Sequence, residues 1–270
     1  MGKSFRSVWT FEGLPGVVLY ESMMDQERAL PAHIHRKDIF QLILSGGNEV
    51  KNEISGQKYR LTQGTVSLCP SGMALSGRAV GHTLSLAVPS RGPEVRVSGQ
   101  KANVNQRAVK SLSHLLRDLV QERQPETQRL LFKNAQTYLG SLGLVAPSTT
   151  LKETWSQEEQ RLHHIKASIE NGFSQQIQLK SLAGQVGWHP HYLQKLFRRR
   201  YGVTPRRLQN QLRSERALEL LDSGLPAAEV AQMVGFCDQS HLIRVFRQFH
   251  GVSPGAMMSR TSNPLSALSR

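Results

Sequence analysis

One stretch is written twice. "GWHPHYLQKLFRRRYGVTP" runs from Gly187 to Pro205, and "GFCDQSHLIRVFRQFHGVSP" from Gly235 to Pro254, forty-eight residues later. Each copy has glycine, a bulky aromatic residue, an apolar-periodic segment, a basic cluster, and glycine-valine-hydroxyl-proline. A short apolar segment precedes each: "LKSLAGQVG" (179–187) and "AAEVAQMVG" (227–235). Short helix, glycine turn and second helix make a helix–turn–helix unit. The duplication predicts two such units in an all-α C-terminal domain. The second turn carries one extra residue, so the offset between copies shifts from 48 to 49.

In the first copy Leu193, Leu196 and Phe197 share a helical face and are expected in the core, as are Leu242, Val245 and Phe246 in the second. Residues spaced i, i+3, i+4 and i+7 share a face, so His191, Gln194, Lys195 and Arg198 point the other way. In the second copy Ser240, Ile243, Arg244 and Arg247 do the same, with Gln239 near the N-terminal end. Amides and donors on one side, cations nearby, are what a helix in a DNA major groove requires. Between the copies, "RRLQNQLRSERALELLDSG" reads as a helix; Pro205 to Asp222 spans about 27 Å at 1.5 Å per residue. Successive grooves on one DNA face lie about 34 Å apart.

Charge agrees with an anionic partner. The chain holds 34 Lys and Arg against 20 Asp and Glu, a formal net charge of +14, which favours nucleic acid or a membrane surface. Lys195–Arg216 holds eight basic residues and one acid, Glu215. No apolar run is of membrane length or serves as a signal peptide. With two cysteines, Cys69 and Cys237, no disulfide framework is built, which suits a reducing, cytoplasmic compartment.

Ahead of the repeat, residues 1–100 read as β: "GVVLYES", "IFQLILS", "GTVSLCP" and "TLSLAV" are short apolar runs divided by turn signals. Such spacing suggests a sandwich or barrel. From 101 to 145 the period becomes helical. Val109, Leu112, Leu115, Leu116, Leu119 and Val120 form one stripe, and Leu130, Leu131, Ala135, Tyr138, Leu139 and Leu142 a second. These stripes pack on the barrel or form a dimer contact. Residues 146–158 are polar and patternless, a linker; 159–258 hold the repeat, and 259–270 a flexible tail. Adjacent His163 and His164 read as a surface and core pair rather than a metal site.

The paired motifs resemble the DNA-binding domain of the AraC family of bacterial transcription regulators, over about 155–258. The resemblance implies two helix–turn–helix units joined by a long helix, usually activating transcription beside RNA polymerase. Carried over by position, base readers are His191, Gln194, Lys195, Gln239, Ser240, Ile243 and Arg244. Ile243, often polar in the family, suits a thymine methyl; Met257 stands where an aromatic residue is usual. Arg198, Arg199, Arg206, Arg207 and Arg247 are expected on phosphates.

"PAHIHRKDIFQLILSGG" followed by "GTVSLCPSG" resembles the cupin barrels that many family members carry in front. In enzymatic cupins His33 and His35 would be metal ligands, but Gln41 occupies the acidic place and Leu75 that of the last His; His82 is the one obvious substitute. Two imidazoles alone make a poor metal site, so neither metal nor another cofactor is expected. The barrel's other role is to hold a small effector, with Trp9, Tyr20, His33, His35, Phe40 and Gln41 as candidate lining residues. The fold expected is therefore α+β and multidomain: a cupin-like barrel with two helices, then a double helix–turn–helix. The function expected is a sequence-specific, ligand-responsive DNA-binding regulator, forming a homodimer through its middle helices and not an enzyme. The alternatives are a cupin-type metal enzyme with a helical appendage and an architectural protein that coats DNA without choosing sites.

Overall fold

The structure is a computed structural model that describes residues 5–90, 100–144 and 155–255. The N-terminal part is one antiparallel sheet of seven strands: β1 (Phe5–Thr10), β2 (Val18–Ile34), β3 (Asp38–Asn52), β4 (Lys58–Thr62), β5 (Thr65–Cys69), β6 (Ala74–Val88) and β7 (Gln100–Asn103). The order is β1-β2-β6-β3-β5-β7, with β4 beside β3. Among the described residues β1 and β7 are the two ends of this order, and the sheet rolls up into the expected cupin-like barrel. Its last strand lies inside the region read as the start of the helical pair.

Three of the four short apolar runs expected here extend into strands of 15 to 17 residues, and the fourth stays short as β5. Polar stretches such as Asp25–Arg28 sit within β2, where apolar content is a poor guide because the ladder is held by backbone groups. Bulges between Met24 and Arg28, between Leu30 and His33, and between Ile43 and Ser45 bend these strands. At the last bulge Gly46 faces Gly81 across the ladder. Both have positive φ, and a Cβ on Gly81 would stand 2.2 Å from the Ser45 carbonyl oxygen. Only glycine permits that bend.

Alternation then divides the sheet into two faces. Leu19, Phe40, Leu42, Val66, Leu68, Leu84 and Leu86 are buried in one cluster with Leu112, Leu116, Leu119, Phe132 and Leu139, from α1 (Gln106–Gln121) and α2 (Pro125–Ser141). The two apolar stripes are therefore largely spent on their own sheet. Leu130 remains the large apolar side chain of this helical pair that is exposed, at 57%.

Six helices follow: α3 (Gln157–Asn171), α4 (Leu179–Gln185), α5 (Pro190–Tyr201), α6 (Pro205–Asp222), α7 (Ala227–Met233) and α8 (Gln239–His250). The expected linker lies mostly outside the described residues, as do Met257 and the tail. Ser156 and Glu159 close a capping box at the start of α3. His163 and His164 are both exposed, so neither is the core member of the pair; the helix turns Leu162, Ile165 and Ile169 inward instead.

The concave side of the sheet meets the helical domain. Ile34 and Ala74 share a buried cluster with Leu193, Leu196, Phe197, Leu208 and Leu212. Val8 and Tyr20 pack on the cluster holding Leu242, Val245 and Phe246. Hydrogen bonds cross the seam: Ile34 N–H donates to Gln211 Oε1 at 2.9 Å, and Arg207 Nε to the Ala32 carbonyl at 2.8 Å. No helix among the described residues is long and apolar enough to cross a membrane.

Candidate nucleic-acid interface and effector cavity

The two helix–turn–helix units are built alike. Gly187 and Gly235 make the turns with φ of 70° and 86°, and Gly202 and Gly251 end α5 and α8 with φ of 72° and 78°. Trp188 N–H returns to Ala183 at 2.9 Å, and Phe236 N–H to Ala231 at 2.8 Å. The Gly202 and Gly251 N–H groups close on the carbonyls of Arg198 and Arg247 at 2.8 and 3.0 Å. The sequence repeat is therefore a repeat of hydrogen bonds. Asp238 caps α8 by accepting from His241 N–H at 2.7 Å, whereas His189 holds that place in α5.

On α5, Leu193, Leu196, Phe197 and Tyr201 are buried. His191, Gln194, Lys195, Arg198 and Arg199 are exposed. On α8, Leu242, Val245, Phe246 and His250 are buried. Gln239, Ser240, Arg244 and Arg247 are exposed, and Ile243 is half-buried. Two amphipathic helices thus present a solvent face of amides, a hydroxyl and cations.

The basic run is not uniform. Arg206 is exposed, whereas Arg207, expected on phosphate, turns to the sheet. Its Nε holds Ala32, and its guanidinium lies 4.4 Å from the Phe249 ring centroid. Desolvation at that seam lowers its pKa. Arg213 is likewise a clamp, donating to the carbonyls of Phe173 and Gln175 at 2.7 and 2.9 Å. Arg199 reaches Glu158 at 3.0 Å, and Tyr192 Oη donates to the same carboxylate at 3.0 Å.

Inside the rolled sheet is a cavity of about 510 Å³ to which all seven strands contribute, with α6 and the end of α8 forming its far wall. Tyr20, His33, His35 and Gln41 line it, but Trp9 and Phe40 do not. The reason is parity. Trp9 sits opposite Leu19, and Phe40 lies between Ile39 and Gln41, so both face α1 and α2. Sequence reasoning missed Arg6, Asn48 and Glu215, which also line the cavity. The alternation Arg6-Val8-Thr10 along β1 was the signal available for the first.

The imidazoles here are neutral. His33 Nδ1 donates to the Pro31 carbonyl at 2.9 Å. Burial lowers the pKa of His33 and carries that of His35 well below the usual value. His250 is pushed down to about 3, first by burial and then by the Arg6 charge. His82 is hydrogen-bonded to Glu21 at 2.8 Å and does not line the cavity, so it is no partner for His33 and His35. No cluster of three or more potential metal ligands occurs among the described residues.

Residues 182–260 match a helix-turn-helix domain family. Over 112 residues the chain is 29% identical to the HTH-type transcriptional activator RhaS of Escherichia coli O139:H28, covering 41% of this chain and 40% of that one. RhaS of Shigella sonnei is 22% identical over 240 residues, 82% of this chain and 85% of that one. ToxT from Vibrio cholerae O395 superposes with a TM-score of 0.57 at 12% identity, covering 91% of this chain and 97% of ToxT.

The matched C-terminal domain is a helix-turn-helix domain of the AraC type. The paired units identify the C-terminal domain, and the superposition extends the fold across the sheet. The stretch matched in two of these curated relatives is short, 40% of the Escherichia coli RhaS and 27% of YbfI from Bacillus subtilis.

Proposed function

We propose that this protein is a sequence-specific transcription regulator of the AraC family that reads two segments of major groove with α5 and α8. The observation that carries the reading is the matching outward face of the two helices. Gln194 and Lys195 on one, and Gln239, Ser240 and Arg244 on the other, are held by the same turn and cap geometry. Amides and guanidinium groups on such a face discriminate base edges; a protein that only coats DNA needs cations alone. Arg198, Arg206 and Arg247 supply phosphate contacts, with Arg199 joining them on leaving Glu158. The similarity to RhaS, a transcriptional activator, favours activation beside RNA polymerase in the cytoplasm, and non-enzymatic action. A homodimer remains part of this proposal, although the apolar stripes of α1 and α2 are mostly covered.

The cavity is the proposed effector site. Its volume falls in the range of small-molecule pockets, and its walls join the sheet to α6 and α8, so an occupant touches both domains. ToxT has been crystallised with an unsaturated fatty acid bound, which supports reading this chain as a ligand holder.

The test is a genome-wide map of binding sites with footprints of the strongest. Expected are a few promoter sites, each with two protected segments about one helical turn apart per monomer. Diffuse occupancy with no shared motif would reject sequence-specific regulation.

A further inference from the structure

Arg6 is a half-buried cation with one enclosed, spare donor. It lines the cavity, its guanidinium lies 4.5 Å from the Tyr20 ring centroid, and its Nη1 meets His250 Nδ1 at a long 3.4 Å. Its Nε is buried and has no hydrogen-bond partner among the described residues. The carboxylate whose charge it feels, Glu215, is committed elsewhere: Arg36 Nη1 lies 3.3 Å and Gln211 Nε2 2.7 Å from its oxygens. The surrounding histidines are neutral. Leaving a buried guanidinium donor unpaired costs free energy that a negatively charged acceptor would recover.

A second orphan lines the same cavity. Asn48 donates through Nδ2 to Gln41 Oε1 at 3.2 Å, but its own Oδ1 is buried and accepts nothing. It calls for a hydroxyl or N–H. The rest of the lining includes the aliphatic Val8, Leu30, Ile39, Val50 and Val80.

We propose that the cavity binds an amphiphilic carboxylate: its acid group on Arg6, its aliphatic body along the strands, and a hydrogen-bond donor facing Asn48. This rests on reading the cavity as the effector site and adds the ligand's class and seat. It also supplies a route to DNA. The carboxylate takes the guanidinium from His250, the last residue of α8, so occupancy loosens the tie between the sheet and the second reading helix.

The experiment is calorimetric titration of the full chain, without DNA, with decanoate, ω-hydroxydecanoate and decanamide. Both acids are expected to bind, the hydroxy acid more tightly. Decanamide should bind at least about ten-fold more weakly, the scale of a charge-assisted hydrogen bond. Arg6→Gln should lose the preference for acid over amide, and Arg6→Lys should keep it. Should Arg6→Gln fail to fold, the acid–amide comparison on the wild-type chain still decides. Equal binding of acid and amide, or no binding of either acid, overturns the proposal. A footprint defect with intact acid binding would instead count against the DNA reading alone.

Discussion

Gln211 completes the end of a strand. Its side-chain amide, on α6, exchanges two hydrogen bonds with the backbone of Ile34: Ile34 N–H to Oε1 at 2.9 Å and Nε2 to the Ile34 carbonyl at 2.5 Å. A helix side chain thus does what a neighbouring strand would do, and ties the helix that joins the reading units to the last residue of β2. Gln211→Leu leaves a buried N–H and a buried carbonyl without partners, each costing about 1–3 kcal/mol. The expected outcome is a lower unfolding midpoint in which the sheet and helical domains melt separately in calorimetry. A single transition at the wild-type temperature would show that the seam does not depend on this exchange.

Arg206 and Arg207 are neighbours with different work. Arg206→Ala should weaken binding to all DNA alike and reduce the salt slope by about one. Arg207→Ala should leave that slope unchanged, because its guanidinium is spent on Ala32 and Phe249, and should lower thermal stability. Affinities measured across a salt series, beside melting curves, separate the two. Equal salt slopes in both variants would return Arg207 to the DNA surface.

Arg244 is exposed on the outer face of α8, where a bidentate contact with one guanine is expected. Arg244→Ala should relax specificity at one operator position at a cost of about 1–3 kcal/mol, leaving binding to random DNA nearly unchanged. Competition assays over single-base operator variants measure this directly. A uniform loss across all sequences would make Arg244 a phosphate contact.

The duplicated motif was legible because its information is local. Glycines at the turns and caps, with core residues at helical spacing, determine the units before any tertiary contact is considered. The seam was not legible, since Arg207 and Arg213 have the same composition as the arginines they adjoin, and only the neighbouring carbonyls distinguish them. In the sheet a single step of parity decides whether a side chain sees the cavity or the helices. Gln41 lines the cavity and Phe40 does not, although they are adjacent. Arg6 was hidden in the overall basic count, because the Arg6-Val8-Thr10 alternation marks a strand face without saying which face is enclosed.

Cys237 is exposed at the start of α8, its Sγ 3.2 Å from His241 Nδ1, whereas Cys69 is half-buried and its thiol pushed up by burial. Thiolate is the reactive form, so a maleimide should label Cys237 first and Cys69 slowly or only after unfolding. Labelling crowds the helix end that carries Gln239 and Ser240, and is expected to weaken operator binding, while Cys237→Ser should bind operator and resist the reagent. Labelled protein with full operator affinity would place this helix end away from DNA.

Acid should loosen the seam. His250 donates from Nε2 to the Ser214 carbonyl at 3.2 Å, accepts from Arg6 at Nδ1, and is held neutral, with its pKa lowered to about 3 by burial and by Arg6. In the unfolded chain a histidine titrates near 6.5. Between these values the unfolded state binds the extra proton, so stability falls as pH drops through this window. His33 and His35, also lowered by burial, act in the same sense. Glu215, raised by burial, acts oppositely, gaining its proton in the folded state first. His250→Gln keeps a donor and an acceptor but removes one titration. Melting curves from neutral pH down to about pH 4 should therefore show the wild-type midpoint falling more steeply than that of the variant. Parallel curves would mean that protonation of His250 plays no part in acid unfolding.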